Sequence, residues 1–168
     1  MLALMCIVGM LSIPLGTNIK ISLQLLIVFI VALTCSSFID CLIITGLYLV
    51  LGLFAPIYAG FISGITPTFG FVISFVVISP IIYFINKIPK LHLVLRMSIA
   101  CIVGLLICYL IGTIFMMLYL NWDIGKTLMV SVVPYIPFDV AKIVIAILVI
   151  LILPKSLFPN QNKTQEYS

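Results

Sequence analysis

The chain has 168 residues, of which 65% are hydrophobic and only 7% charged, with a formal net charge of +4. A soluble domain carries about 25% charged residues, so this chain cannot cover a water-facing surface and reads as an integral membrane protein with little outside the bilayer. Its basic residues are scattered at the ends of apolar runs, which argues against nucleic acid as a partner.

A span needs about 20 apolar residues, which leaves room for about six spans joined by short connections. The first apolar run, Met1 to about Pro14, is short for a crossing unless it is tilted or continues upstream. It has neither a charged leader nor a small-residue cleavage site, so it reads as a helix rather than a cleavable signal. Leu15–Lys20 is a polar, turn-like interruption. Further spans are expected over about Ile21–Cys35 and Cys41–Phe54, joined by the tight connection Cys35–Asp40. Residues 56–67 contain Gly60, Gly64 and two prolines, which break helices and predict an ordered loop. A fourth span covers about Thr68–Ile85, a basic loop Asn86–His92 follows, and a fifth runs over about Leu93–Tyr119. Asn121–Thr127 is a short polar connection, Leu128–Val133 leads on, and the sixth span runs from about Pro137 to Leu153. The expected architecture is an all-α membrane domain of six helices over residues 1–155, followed by a short polar tail at 156–168.

Lys87, Lys90 and Arg96 near one loop and Lys155 and Lys163 in the tail fall on one side of such a bundle. The positive-inside rule makes that side, and both termini, cytoplasmic. The loops at 15–20, 56–67 and 121–127 are then outside. The five cysteines form no Cys-x-x-Cys pair and there is a single His, His92, so no metal site is expected. They read as small buried apolar side chains.

Asp139 and Lys142 stand out because an ionisable residue inside a span costs about 2.5–3.5 kcal/mol on insertion scales. At i and i+3 they project from one helix face. Pro137 suits a helix start, and Asp139 then lies in the first turn, where the dipole favours an anion by about 0.3–1 kcal/mol. Lys142 gains nothing from the dipole there. One reading is a private ion pair, or a lysine snorkelling to the interface. The other is a ligand clamp, with Asp139 accepting N–H bonds and Lys142 donating to a carbonyl or carboxylate, which suits a cyclic urea or amide and many other polar rings.

The loop from Ala55 to Phe71 complements such a clamp. Rings at Tyr58, Phe61, Phe69 and Phe71 can line an apolar slot, and Ser63, Thr66 and Thr68 supply hydroxyls. The same composition also suits simple packing or a re-entrant cap. Gln24 is a polar side chain in an apolar run, open to an interhelical hydrogen bond or to a pocket role. No His-Glu-x-x-His, Gly-x-Ser-x-Gly or paired carboxylate occurs, so no catalytic residue and no enzyme activity are expected.

Four stretches, in order, carry a family resemblance. They are Ile19–Gln24, Tyr48–Gly60, Pro67–Phe71 and Pro134–Lys142. Together they resemble the BioY family, the biotin-specific substrate-binding component of energy-coupling-factor transporters. The last stretch is similar to the family's Pro-Phe…Pro-Gly-Asp-x-x-Lys, with Asp139 and Lys142 at the matching positions. The resemblance implies six helices, a site open to the outside, and biotin bound by Asp139 and Lys142 at its ureido end. Tyr58, Ser63, Thr68, Phe71 and Gln24 complete the expected site. It also implies no cofactor, a bacterial cell-membrane location, and as partners a transmembrane coupling protein and two cytoplasmic ATP-binding subunits, since the chain has no P-loop. Family members dock through small residues on the first helix, where this chain offers Ala3 and Gly9. It departs from the family in a shorter Gly64–Pro67 segment, in Thr66, Phe69 and Phe138 at glycine positions, and in Val72 where some members carry Arg. Those differences keep open another small vitamin or precursor as ligand, and a purely structural membrane subunit.

Overall fold

The computed structural model describes residues 1–15, 19–88 and 92–153. The turn at 16–18, Lys90, Lys155 and the tail at 156–168 named above lie outside the described residues. Among the described residues the fold has seven helices and one small hairpin: α1 (Leu2–Met10), β1 (Ser12–Leu15), β2 (Ile19–Ser22), α2 (Gln24–Thr34), α3 (Phe38–Phe54), α4 (Phe69–Asn86), α5 (Leu93–Leu120), α6 (Ile124–Ser131) and α7 (Ile136–Ile152). The hairpin is a small addition to an otherwise helical fold. β1 and β2 pair antiparallel with Ser12 opposite Ser22 and Ile13 opposite Ile21, and the bond from Leu23 N–H to Leu11 O closes its base. The first helix therefore ends at Met10, and α2 starts at Gln24 rather than Ile21.

Helix boundaries follow local chemistry. Ser37 caps α3 in a reciprocal box: its hydroxyl accepts from Ile39 N–H at 3.3 Å, and Asp40 Oδ2 accepts from Ser37 N–H at 3.0 Å. α5 ends on Asn121 in the left-handed region (φ 51°), and Asp123 caps α6 by accepting from Gly125 N–H at 3.0 Å. The expected polar connection over 121–127 is thus mostly helix, and 128–133 is largely the end of α6. α6 and α7 meet at a bend of 49° and qualify together as one broken span. Among the described residues only α4 and α5 are long and apolar enough to cross a bilayer unaided, while α2 and α3 are shorter apolar helices.

α4 lies along α5, α3 packs on α4, and α2 packs between α7 and α4. Tyr48, Phe29, Met5, Ile78, Ile82 and Met97 are fully buried at the centre. The outward faces are as apolar as the core. Ile102, Leu106, Leu110, Ile114 and Leu118 recur every fourth residue on α5 and are all exposed, as are Val140, Val144, Leu148 and Ile152 on α7. A water-soluble helix would put charge on such faces; these stripes suit hydrocarbon. The opposite faces of α5 and α7 carry the polar side chains inward.

The connections divide between two ends of the bundle. At one end Tyr83 Oη donates to Ser36 O at 3.0 Å, and buried Arg96 donates to Asn86 Oδ1 at 3.3 Å and to Ile88 O at 3.2 Å. At the other, the 55–68 loop is stitched to its neighbours: Gly60 N–H to Met10 O at 3.1 Å and Gly64 N–H to Gly52 O at 3.0 Å. Gly60 and Gly64 have φ near +80°, which side chains rarely adopt, and Phe61 between them has φ 58°.

Candidate functional site

Asp139 and Lys142 are brought together one turn into α7, both buried, with Lys142 Nζ 2.6 Å from Asp139 Oδ1. Their second partner is a residue that sequence reasoning missed. Tyr109 on α5 donates its hydroxyl to Asp139 Oδ2 at 2.6 Å. The helix begins at Ile136, so Pro137 is its second residue, and Asp139 N–H already bonds Tyr135 O. The carboxylate is held through both oxygens. Lys142 carries three N–H donors and has one hydrogen-bond partner among the described residues. Taking these two charges out of water costs several kcal/mol per ion, and a pair attraction of about 4 kcal/mol at an effective dielectric near 20 offsets only part of it. The tyrosine bond adds to the charged form. The spare donors of Lys142 leave the cluster able to accept one more polar partner.

Next to this triad on α5, Cys108 receives a hydrogen bond from Ser74 at 3.0 Å, and the Ser74 hydroxyl also reaches Phe71 O at 2.6 Å. Phe71 is half-buried and lies against Gly112, where any Cβ would overlap its ring. Gly112 is therefore a requirement of the α4–α5 approach. Phe71 thus packs between α4 and α5.

The other predicted site residues have contacts of their own. Gln24 is buried in a closed network: Oε1 accepts from Ser22 Oγ at 3.0 Å, Nε2 donates to Tyr48 Oη at 2.5 Å, and Tyr48 Oη donates to Ile57 O at 3.1 Å. Tyr58 is also buried, its hydroxyl bonded to Leu49 O at 2.6 Å and its ring against Tyr48 and Phe69. Burial pushes the Tyr58 phenol up to about 12, so it remains a donor at neutral pH. Ser63 and Thr68 are exposed, and Thr68 Oγ1 pairs with Thr66 Oγ1 at 3.1 Å. Tyr58, Phe69, Phe115 and Tyr119 stack in a continuous row with centroids about 6 Å apart, while Phe61 is exposed at the loop tip.

An open groove of about 320 Å³ lies at the far end of α2, lined by Met1, Thr34, Cys35, Asp40 and Ile44 among others. Its carboxylate, Asp40, is committed to capping α3. The ionic cluster on α5 and α7 is the better candidate for recognition. No group of three or more His, Cys, Asp or Glu able to hold a metal occurs among the described residues.

Fold and site together define a helical membrane bundle with an ion pair buried in its interior. The chain belongs to the BioY family, whose model matches residues 1–158. That family is one of transport components and not of enzymes. Among solved structures, the fold is similar to the S-component for biotin from an ECF-type ABC transporter, with a TM-score of 0.76 and 23% sequence identity over 88% of this chain and 83% of that one. A comparison with curated proteins produced no match. The Gly9 expected on a docking surface is turned inward against Tyr48, whereas Ala3 is exposed.

Proposed function

We propose that this chain is the biotin-binding membrane component of an energy-coupling-factor transporter, multi-pass in a bacterial cell membrane. The observation that carries the reading is the buried Tyr109–Asp139–Lys142 cluster in a chain of the BioY family. Six crossings are formed by α1 to α5 and by the bent α6–α7 pair. Lys87 and Arg96 mark the cytoplasmic end, with both termini there, and the stitched 55–68 loop faces outside. Asp139 accepts a ureido N–H, Lys142 donates to the ureido carbonyl, and Phe71 covers an apolar face of the ring. Tyr109 holds the carboxylate in place while the lysine turns to the ligand. The chain binds and carries the ligand without transforming it. A transmembrane coupling protein and two ATP-binding subunits drive its movement, a role supported by family membership and by the absence of a P-loop in the sequence.

Buried Val72, where some members have Arg, favours a second reading in which the ligand is a related small vitamin or precursor without a carboxylate. Equilibrium binding of tritiated biotin to the detergent-purified protein tests both. Saturable binding at micromolar concentrations is expected. A protein that binds no biotin at that level rules the first reading out.

A further inference from the structure

Hydroxyl groups in apolar helices ordinarily bond their own backbone, and most here do. Thr34, Thr45, Ser98 and Thr127 reach the carbonyl four residues back, Ser74 reaches the one three back, and Ser79 pairs with Thr45. Two buried helical hydroxyls break the pattern. Thr113 Oγ1 on α5 and Ser131 Oγ on α6 have no hydrogen-bond partner among the described residues, although both residues are more than nine-tenths buried.

Their placement is related. Thr113 is four residues beyond Tyr109, so it shares the helix face that presents Tyr109 to Asp139, about 6 Å further along the axis. α6 packs back on α5 across the Asn121–Asp123 turn. Thr113 precedes Trp122 by nine residues and Ser131 follows it by nine, which puts the two at about the same depth in the hairpin. α6 turns Thr127 and Ser131 inward, and of these only Thr127 is bonded to its own backbone. An unpaired buried hydroxyl is unfavourable, and here two lie at one level of the hairpin, one of them a turn beyond the tyrosine that bonds Asp139.

We propose that Thr113 and Ser131 form a second pole of the ligand site and hydrogen-bond a neutral edge of the bound heterocycle that Asp139 and Lys142 leave uncovered. The group they take is neutral because neither hydroxyl has a cation of its own to offset a buried carboxylate, and the charge of Lys142 is committed to Asp139. This inference rests on the biotin reading of the cluster.

Affinities for tritiated biotin, and for biotin amide by competition, are measured on the purified protein and on Thr113→Val, Ser131→Ala and Lys142→Met, with the melting temperature taken in the absence of biotin. Each hydroxyl variant is expected to weaken both ligands about tenfold with an unchanged or raised melting temperature, since no bond within the protein is lost. Affinities within about twofold of wild type, alongside a Lys142→Met variant that no longer binds, overturn this inference and leave the biotin reading standing. A lowered melting temperature at unchanged affinity assigns the hydroxyls to a structural water and overturns it too. A loss seen with biotin but not with its amide moves the contact to the carboxylate and overturns the neutral-edge assignment. A wild-type protein that binds neither ligand overturns both.

Discussion

Gln24 and Lys142 are both buried polar side chains in apolar helices, and their surroundings differ. Around Gln24 the hairpin, α2, α3 and the 55–68 loop exchange neutral hydrogen bonds so that each polar side-chain atom has a partner, ending on Ile57 O. Around Lys142 the partners are a carboxylate and, through it, Tyr109, and two of the ammonium hydrogens find no acceptor among the described residues. A neutral network can be completed by the fold itself at about 1 kcal/mol per bond. A buried charge leaves a larger debt of solvation, and unused donors give a ligand a means to reduce it. The first cluster is a fastening between elements; the second, under the proposed function, is where the ligand binds.

The strongest break of this contrast comes at Lys142. Lys142→Met strands Asp139 as an unpaired buried charge and is expected to lower stability by about 3–5 kcal/mol and to abolish biotin binding. Adding Asp139→Asn removes the stranded charge, so the double variant should regain most of the melting temperature and none of the binding. Wild-type affinity in the double variant would reduce the pair to a structural ion pair. Tyr109→Phe comes next: it removes a hydrogen bond to a charged group, worth about 1.5–3 kcal/mol, and titration should show weaker biotin binding with the fold intact. Tyr48→Phe cuts both Gln24 and Ile57 O from the neutral network. Chemical denaturation should show a loss of about 1–3 kcal/mol while biotin affinity stays nearly constant. A fall in affinity as large as that of Tyr109→Phe would erase the distinction between the two clusters. The smallest effect is expected at Ser63, exposed on the loop: Ser63→Ala should change stability and affinity by less than about 0.5 kcal/mol, and a larger loss of affinity would return it to the site.

The elements that were readable from the residues are those where one property dominates. Asp139 and Lys142 were visible because charge in an apolar helix has few explanations, and α4 and α5 because their apolar runs are long enough to span. Tyr109 was not visible, since a tyrosine in a long apolar helix has the same appearance whether it packs or donates, and only the packing of α5 against α7 supplies its acceptor. The hairpin escaped because Ser12–Leu15 is four residues long and contains a proline, too little for a strand pattern. α6 was hidden because its first turn, Ile124 to Thr127, holds a glycine, a lysine and a threonine between two apolar runs and reads as a connection. Thr113 and Ser131 had no signal at all. Whether a hydroxyl is paired depends on its rotamer and its neighbours, and no spacing records that.

The bond from Gly60 N–H to Met10 O ties the 55–68 loop to the end of α1 through main-chain atoms alone. Position 10 can therefore change to any residue without loosening the tie, because its contribution is a carbonyl that every residue has. Position 60 is less free: its φ of 79° favours glycine, and proline there would remove the donor altogether. A rigid tilt of the first helix would draw the loop with it through this attachment. The joint is written into the backbone, and a comparison of side chains at these two positions would not reveal it.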